Sequence, residues 1–430
     1  MQTPQRFSAL YTRDFRLFWF GQVISLSGTW MHSVAQSWLV YSLTKSPLYL
    51  GIIASVSSLP ILAFTLVGGI VADKYPKRTI LIITQVLSVL PALALGILTE
   101  GRMITIWHVG IIAAFLGAIN AFDVPARQSF LAEVVSKGDI TNAIALNSAA
   151  FNGARVIGPV IAGFIITHFG LPACFFLNAA SFMAVILALW KVEAKGSAEI
   201  PVGGFTKGIA DGWRFVKGER PILCIMALIS LFSLFGIPHI TLLPILAGEI
   251  LKVGAKGLSL LVASAGAGSF VAALTIAFRG EVQRKDLFIP LSGIVFSFSL
   301  LALAFSRDFL LSLLLILLAG WGVVSCLATS NSFIQHRVPD ALRGRVMSLY
   351  ILVFLGFAPL GNSVVGLAAE AIGATASLKF FAFICISGSI LFYKAFRGAT
   401  RDEEEGHHAH RESDRQEAAA LPVQEDRRNE

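Results

Sequence analysis

Charge is what this chain has least of. Only 14% of its 430 residues are Asp, Glu, Lys or Arg, against 55% hydrophobic, and mean hydropathy is +0.74; soluble domains carry about 25% charge. Cysteine is also scarce. The four present, Cys174, Cys224, Cys326 and Cys385, sit singly in apolar stretches with no CxxC spacing, which excludes a disulfide framework and a zinc site. No GxxxxGK[ST] loop occurs, so ATP is not expected as the energy source. The first residues, "MQTPQRFSALYTRDFR", are too polar for a cleaved leader, and the first apolar stretch is expected to stay as an anchor.

What fills the chain is apolar blocks long enough to cross a bilayer, which takes about 20 residues each. Twelve are read, at 16–41, 48–72, 79–98, 104–126, 141–168, 172–190, 222–247, 257–278, 287–305, 309–334, 345–368 and 376–396. The fold class is thus an all-α membrane protein of twelve transmembrane helices. Lysine and arginine resist translocation. With the N-terminus inside, 27 of the 34 basic residues fall on the cytoplasmic side, six outside (Lys45, Arg102, Lys252, Lys256, Arg307, Lys379) and one, Arg155, in the membrane. Both termini are expected in the cytoplasm of a bacterial cell, with the chain in its inner membrane. The basic balance follows from topology and calls for no nucleic acid.

The longest internal linker divides the chain into a first bundle, 1–190, a linker, 191–221, and a second bundle, 222–398. Ile209, Trp213 and Val216 recur at helical spacing beside Lys207, Arg214 and Lys217, which fits a short helix on the inner membrane surface or a linker with incidental order. "SFLAEVV" after the fourth span returns as "SFIQHRV" after the tenth, 203 residues on. Two pseudo-symmetric six-helix bundles follow, a plan that places a substrate site between the halves. The tail, 399–430, is charged and is expected to be disordered. Its His407, His408 and His410 are read as solvated rather than as a metal site.

Polar residues inside the spans nominate the site. Gln22, Ser25, Thr29, His32 and Gln36 make one stripe at steps of three and four, which lipid would not solvate. Ser325 and Thr329 share a face in span ten. His239, after Pro238, lies near the repeat position of His32; the two histidines either relay protons or pack as hydrogen-bonded core residues. Asn147, Asn152 and Arg155 share an arc of span five. A central arginine costs roughly 3 kcal/mol on insertion scales, so Arg155 either contacts an anionic or oxygen-rich substrate or braces the helix by binding carbonyls. In span four Asp123 precedes Arg127 by one turn, the spacing of an independent ion pair.

Motifs then narrow the family. "GGIVADKYPKR" resembles the loop signature of the major facilitator superfamily, with Gly69 for close helix packing and Asp73, Lys77 and Arg78 for a cytoplasmic latch; it departs by having Pro76 where glycine is usual and Lys77 where arginine is common. "FDVPARQSFLAEVV", "NAIALNSAAFNGARVIGP" and "VPDALRGRVMSLY", with "GTWMHSVAQSWLVYSLTKSPLYLG" in span one, resemble the bacterial facilitators that include the enterobactin exporter, called transmembrane secretion effectors. The resemblance covers residues 10–395. It implies the major facilitator fold and secondary active export of a small amphipathic or anionic molecule, siderophore- or drug-like, commonly driven by proton antiport. In it Asp123 faces the latch and would join Asp73 and Lys77. "GARVIGPVIAG" resembles an antiporter motif in which Gly158, Pro159 and Gly163 shape a bend, or simply mark a kink. An uptake symporter and a lysophospholipid flippase are the rivals on this fold. A membrane-embedded enzyme lacks the cluster of nucleophile, base and acid it would need. The expected partners are a small-molecule substrate, protons and the bilayer, with no cofactor, no metal and a monomeric state.

Overall fold

The computed structural model describes residues 7–193, 205–279 and 284–420, with the side chains of all but 205–210, 279 and 399–420. Its helices are α1 (Arg13–Thr44), α2 (Pro47–Lys74), α3 (Lys77–Glu100), α4 (Ile106–Glu133), α5 (Ile140–Phe169), α6 (Leu171–Lys191), α7 (Phe205–Gly218), α8 (Arg220–Leu231), α9 (His239–Ile245), α10 (Gly254–Arg279), α11 (Lys285–Phe305), α12 (Phe309–Arg337), α13 (Asp340–Gly356), α14 (Ala358–Ile372) and α15 (Ala374–Ala420). Among the described residues, eleven spans are long and apolar enough to cross a membrane. The first helix falls outside that set, although its 32 residues give about 48 Å of helix; its polar stripe dilutes its apolar character.

Two spans read from sequence as single helices are interrupted. The seventh consists of α8 and α9 joined through a π-helical turn at Phe232–Gly236, and a second such turn, Leu246–Ile250, closes it. Such turns carry one extra residue per turn and mark places where a helix can change register. The eleventh breaks at Phe357 between α13 and α14, where Pro359 stands in the first turn of the new helix.

Two sets of helices, α1 to α6 and α8 to α15, repeat one another more fully than the short matching motif indicated. At the same spacing of 203 residues, Gly170 and Gly373 both turn the chain with positive φ, 83° and 86°, a region open to glycine. Gly158 meets Ser27 O and Gly361 meets Ser233 O, at 2.6 and 2.7 Å from where a Cβ would stand. Gly117 and Gly320, again 203 apart, abut the backbone carbonyls of Ser57 and Ala265, locking α2 to α4 and α10 to α12.

The sets touch along α5 with α10 and α2 with α14. A Cβ on Gly163 would stand 3.0 Å from Ser259 and one on Gly366 2.9 Å from the Gly51 backbone, Ser55 Oγ donates to Pro359 O at 2.6 Å, and Thr241 Oγ1 donates to Asn362 Oδ1 at 3.0 Å. Glu370 accepts from Ser46 Oγ (2.6 Å) and Leu48 N (3.2 Å), capping α2 from the other set. These approaches run from mid-span to the end where Lys45 turns α1 into α2. One apolar core is continuous across both sets there, containing Met31, Leu39 and Ile53 together with Leu242, Leu258 and Val365. At the opposite end, where α2 turns into α3, a separate core of Phe15, Phe18, Leu81, Phe130 and Leu189 belongs to the first set alone. Ion pairs at that end also stay within one side: Lys77 to Glu133, Arg337 to Glu219 and Arg345 to Asp211. Among the described residues the two sets meet at the Lys45 end, and neither an ion pair nor a shared apolar core joins them at the other, the parted end.

Within 191–221 the short helix read from sequence is α7, which docks onto α13: Asp211 bonds Arg345 at 2.9 Å, a Cβ on Gly212 would stand 3.2 Å from the Arg345 backbone, and Val216 is buried. Trp213 is half exposed, and the side chain of Ile209 lies outside those described. In the tail, α15 continues to Ala420. The side chains of His407, His408 and His410 lie outside those described.

Candidate functional site in the first helix set

A cavity of ≈ 450 Å³ opens among α1 to α6, every lining residue coming from the first set. The α1 stripe supplies Ser25, Thr29, His32 and Gln36, α4 supplies Asn120, Asp123, Arg127 and Gln128, and α5 supplies Asn147. Helical spacing explains the grouping: residues three or four apart share a face, so each helix turns one polar edge inward.

Asp123 anchors the wall. Its carboxylate is 3% exposed and accepts from Thr84 Oγ1 at 2.8 Å, Gln85 Nε2 at 2.9 Å and Arg127 Nε at 2.8 Å. The Arg127 guanidinium also reaches Gln22 Oε1. A buried pair of this kind is held together only when its spare lone pairs and protons find partners, and Thr84, Gln85 and Gln22 are those partners. Some capacity is left over. Gln22 Nε2, Gln85 Oε1 and His32 Nδ1 are buried without a partner. His32 Nε2 pairs with Gln36 Oε1 at 3.1 Å, and its ring meets Phe175 edge-on at 5.0 Å. The cavity lining itself carries both donors and acceptors, from Ser25, Thr29, Gln36, Asn120, Gln128 and Asn147.

A smaller space, ≈ 230 Å³, lies between the sets on the closed side, lined by Trp30, Ser33, Gln36, Ser57, Thr241 and apolar neighbours. Ser33, Gln36 and Ser57 border both cavities.

Several expected cavity residues lie elsewhere. Gln22 is buried beneath Arg127. Asn152 bonds back to Ser148 O at 2.9 Å. Arg155 lies against α10 and Trp30. His239 is buried on α9, bonded to Gly236 O at 2.8 Å, and Ser325 and Thr329 are buried in α12. For His239, Ser325 and Thr329 the reason is shared: the second set is packed shut around them, so their polar faces meet helix neighbours instead of space; Gln22, Asn152 and Arg155, on α1 and α5, are placed by the individual contacts just given.

The latch also divides. Gly69 faces nothing within 4 Å; its neighbour Gly68 is the close-packed one, against the Ala121 carbonyl. Lys77 pairs with Glu133 at 2.9 Å, while Asp123 pairs with Arg127 and Asp73 makes no ion pair among the described residues. Arg78 caps α6, its Nε 2.7 Å from Leu189 O and its Nη2 3.0 Å from Trp190 O, satisfying carbonyls a helix end leaves open. In α5, Pro159 sits inside an unbroken helix, with Gly158 toward α1 and Gly163 toward α10. Sequence reading missed Thr84, Gln85, Ser88 and Asn178 on this wall and Glu133 beside Lys77. Polar side chains in otherwise apolar spans were the available signal for the first four.

A family profile described as transmembrane secretion effector matches residues 5–427. The chain belongs to that family, within the major facilitator superfamily. It is a multi-pass membrane transporter and not an enzyme. It is 27% identical over 401 residues to the staphyloferrin A transporter of Staphylococcus aureus, covering 91% of this chain and 99% of that one. It is 26% identical over 372 residues to the multidrug efflux pump Tap of Mycolicibacterium fortuitum, covering 84% and 90%. Among solved structures, a bacterial homologue of the lysosomal transporter Spinster, inward-facing and unoccupied, superposes with TM-score 0.70 at 13% identity, covering 93% of this chain and 99% of that one. A D-xylose–proton symporter gives 0.70 at 11%, covering 90% and 98%. Both structural likenesses concern the fold.

Proposed function

We propose that this facilitator exports a small amphipathic or anionic molecule, siderophore- or drug-like, from the cytoplasm by alternating access, in exchange for protons. α1 serves as the twelfth span, both termini are cytoplasmic, and the chain works as a monomer in the inner membrane. The distribution of basic residues makes the parted end the cytoplasmic one, so the cavity stands ready to load from inside. The observation that carries the reading is Asp123: a buried carboxylate on the cavity wall, held by Thr84, Gln85 and Arg127. In this reading substrate arriving from the cytoplasm displaces a proton from that carboxylate, and a proton arriving from outside releases the substrate. Protonation removes the charge that Arg127 balances, so loading and proton occupancy are linked through one ion pair. The named activities of the two relatives, a siderophore transporter and a drug efflux pump, support the substrate class.

Mass spectrometry of culture medium tests it, comparing cells with the wild type, without the protein, and with Asp123→Asn. A compound present outside only with the wild type, and taken up by everted vesicles whose lumen is acidified, is the expected result. A compound that instead accumulates in wild-type cells makes the protein an importer. Equal transport by Asp123→Asn removes Asp123 from proton coupling.

A further inference from the structure

Arg155 is the sixteenth of the 30 residues of α5 and makes no hydrogen bond or ion pair among the described residues. Its Cζ lies 5.5 Å from the centre of the Trp30 ring, which Phe151 meets edge-on at 5.9 Å. Its backbone and stem lie against Gly266 of α10, where a Cβ would come within 2.6 Å of Arg155 O and 3.2 Å of its Cγ. The helices around it provide no counter-ion. α5, α9 and α10 contain no Asp or Glu, and the only acid of α1, Asp14, is at its first turn.

The ion pair of the cavity is therefore closed and this cation is open. An arginine stays charged at any pH the protein meets and offers a planar fork matched to two oxygens. Charged groups held at mid-membrane generally mark the path of a substrate or ion. We infer that Arg155 and Trp30 form a receptor, apart from the 450 Å³ cavity, for an oxyanion group of the transported molecule, carboxylate or phosphate. Trp30, which also lines the space between the two sets, takes a flat or apolar part next to that group. The inference rests on the transport reading and adds the charge of the cargo. A lipid headgroup carries the same chemistry, but Arg155 is about 22 Å from either end of α5, and headgroups lie at the membrane surface.

The test uses the full chain in nanodiscs of zwitterionic lipid, with calorimetric titration of three probes that share one ring system: 2-naphthoate, 2-naphthalenemethanol and 2-naphthylmethylammonium. The wild type is expected to bind the carboxylate at least tenfold more tightly than the other two. Arg155→Gln loses that preference and Arg155→Lys keeps part of it, while Trp30→Leu weakens naphthoate and naphthalenemethanol alike. A wild type without the preference, or an Arg155→Gln that keeps it, overturns the receptor. So does loss of thermal stability in both arginine variants with normal binding by the folded remainder, which makes Arg155 a brace. A preference abolished by anionic lipid in the disc assigns the site to a headgroup and overturns the solute assignment. Binding needs no gradient, so a preference that survives alongside failed export separates this inference from the transport reading.

Discussion

At the repeat spacing of 203 residues, Asp123 and Arg127 of α4 correspond to Cys326 and Ser330 of α12. One position pair carries a hydrogen-bonded ion pair on the wall of a cavity; its counterpart carries two small, fully buried side chains. The glycines that lock the same helices, Gly117 and Gly320, are present in both. Packing has been kept in both sets while chemistry has been kept in one. The second set buries Phe232, Phe296 and Phe396 fully, and buried serines such as Ser292 and Ser297 spend their hydroxyls on the preceding turn of their own helix. That set contributes apolar bulk and two π-helical turns, whereas the first contributes the polar cavity wall.

The sharpest way to break this comparison is to empty the ion pair. Asp123→Ala leaves a buried arginine without its partner and should destabilise the protein by about 3–5 kcal/mol, seen as a large fall in melting temperature in detergent. Ser330→Ala, which removes one buried hydroxyl, should change stability by about 1 kcal/mol or less. Replacing both partners, Asp123→Leu with Arg127→Met, should recover much of the stability and none of the transport. If the single and double changes melt alike, the pair is not what holds this wall.

The glycines test the shared half of the comparison. Gly117→Ala and Gly320→Ala each drive a methyl into a backbone carbonyl, and each should destabilise by about 1–3 kcal/mol. Gly69→Ala, with open space before it, should do nothing measurable. A clear difference between Gly117 and Gly320 would mean the two sets are packed by different rules.

The smallest effect concerns the seam. Glu370→Gln weakens a cap on α2 supplied across the two sets, worth about 1 kcal/mol for a typical N-cap. Spin-label distances between α2 and α14 should lengthen in a larger fraction of molecules. An unchanged distribution would show that the Gly51–Gly366 crossing closes this end by itself.

Much of the fold was legible because bilayer physics imposes it: block length located the spans, eleven of which recur among the described residues as helices long and apolar enough to cross a membrane. The site was half legible. The α1 stripe and Asp123 stood out as polar residues in apolar helices, and both reach the cavity. Ser325, Thr329 and His239 gave the same signal, yet the structure buries them, because periodicity names a face without saying whether space or another helix lies in front of it. Gly68 and Gly69 show the same limit at the scale of one residue. Adjacent glycines point 100° apart on a helix, and only the position of α4 decides which of them the packing needs.

The docking of α7 has a mechanical consequence. Asp211, bonded to Arg345, ties this helix to α13, and Glu219 at the head of α8 is bonded to Arg337 of α12. From Phe205 onward the segment between the helix sets is therefore fastened to the second set, and a displacement of α13 would carry α7 with it as a rigid rider.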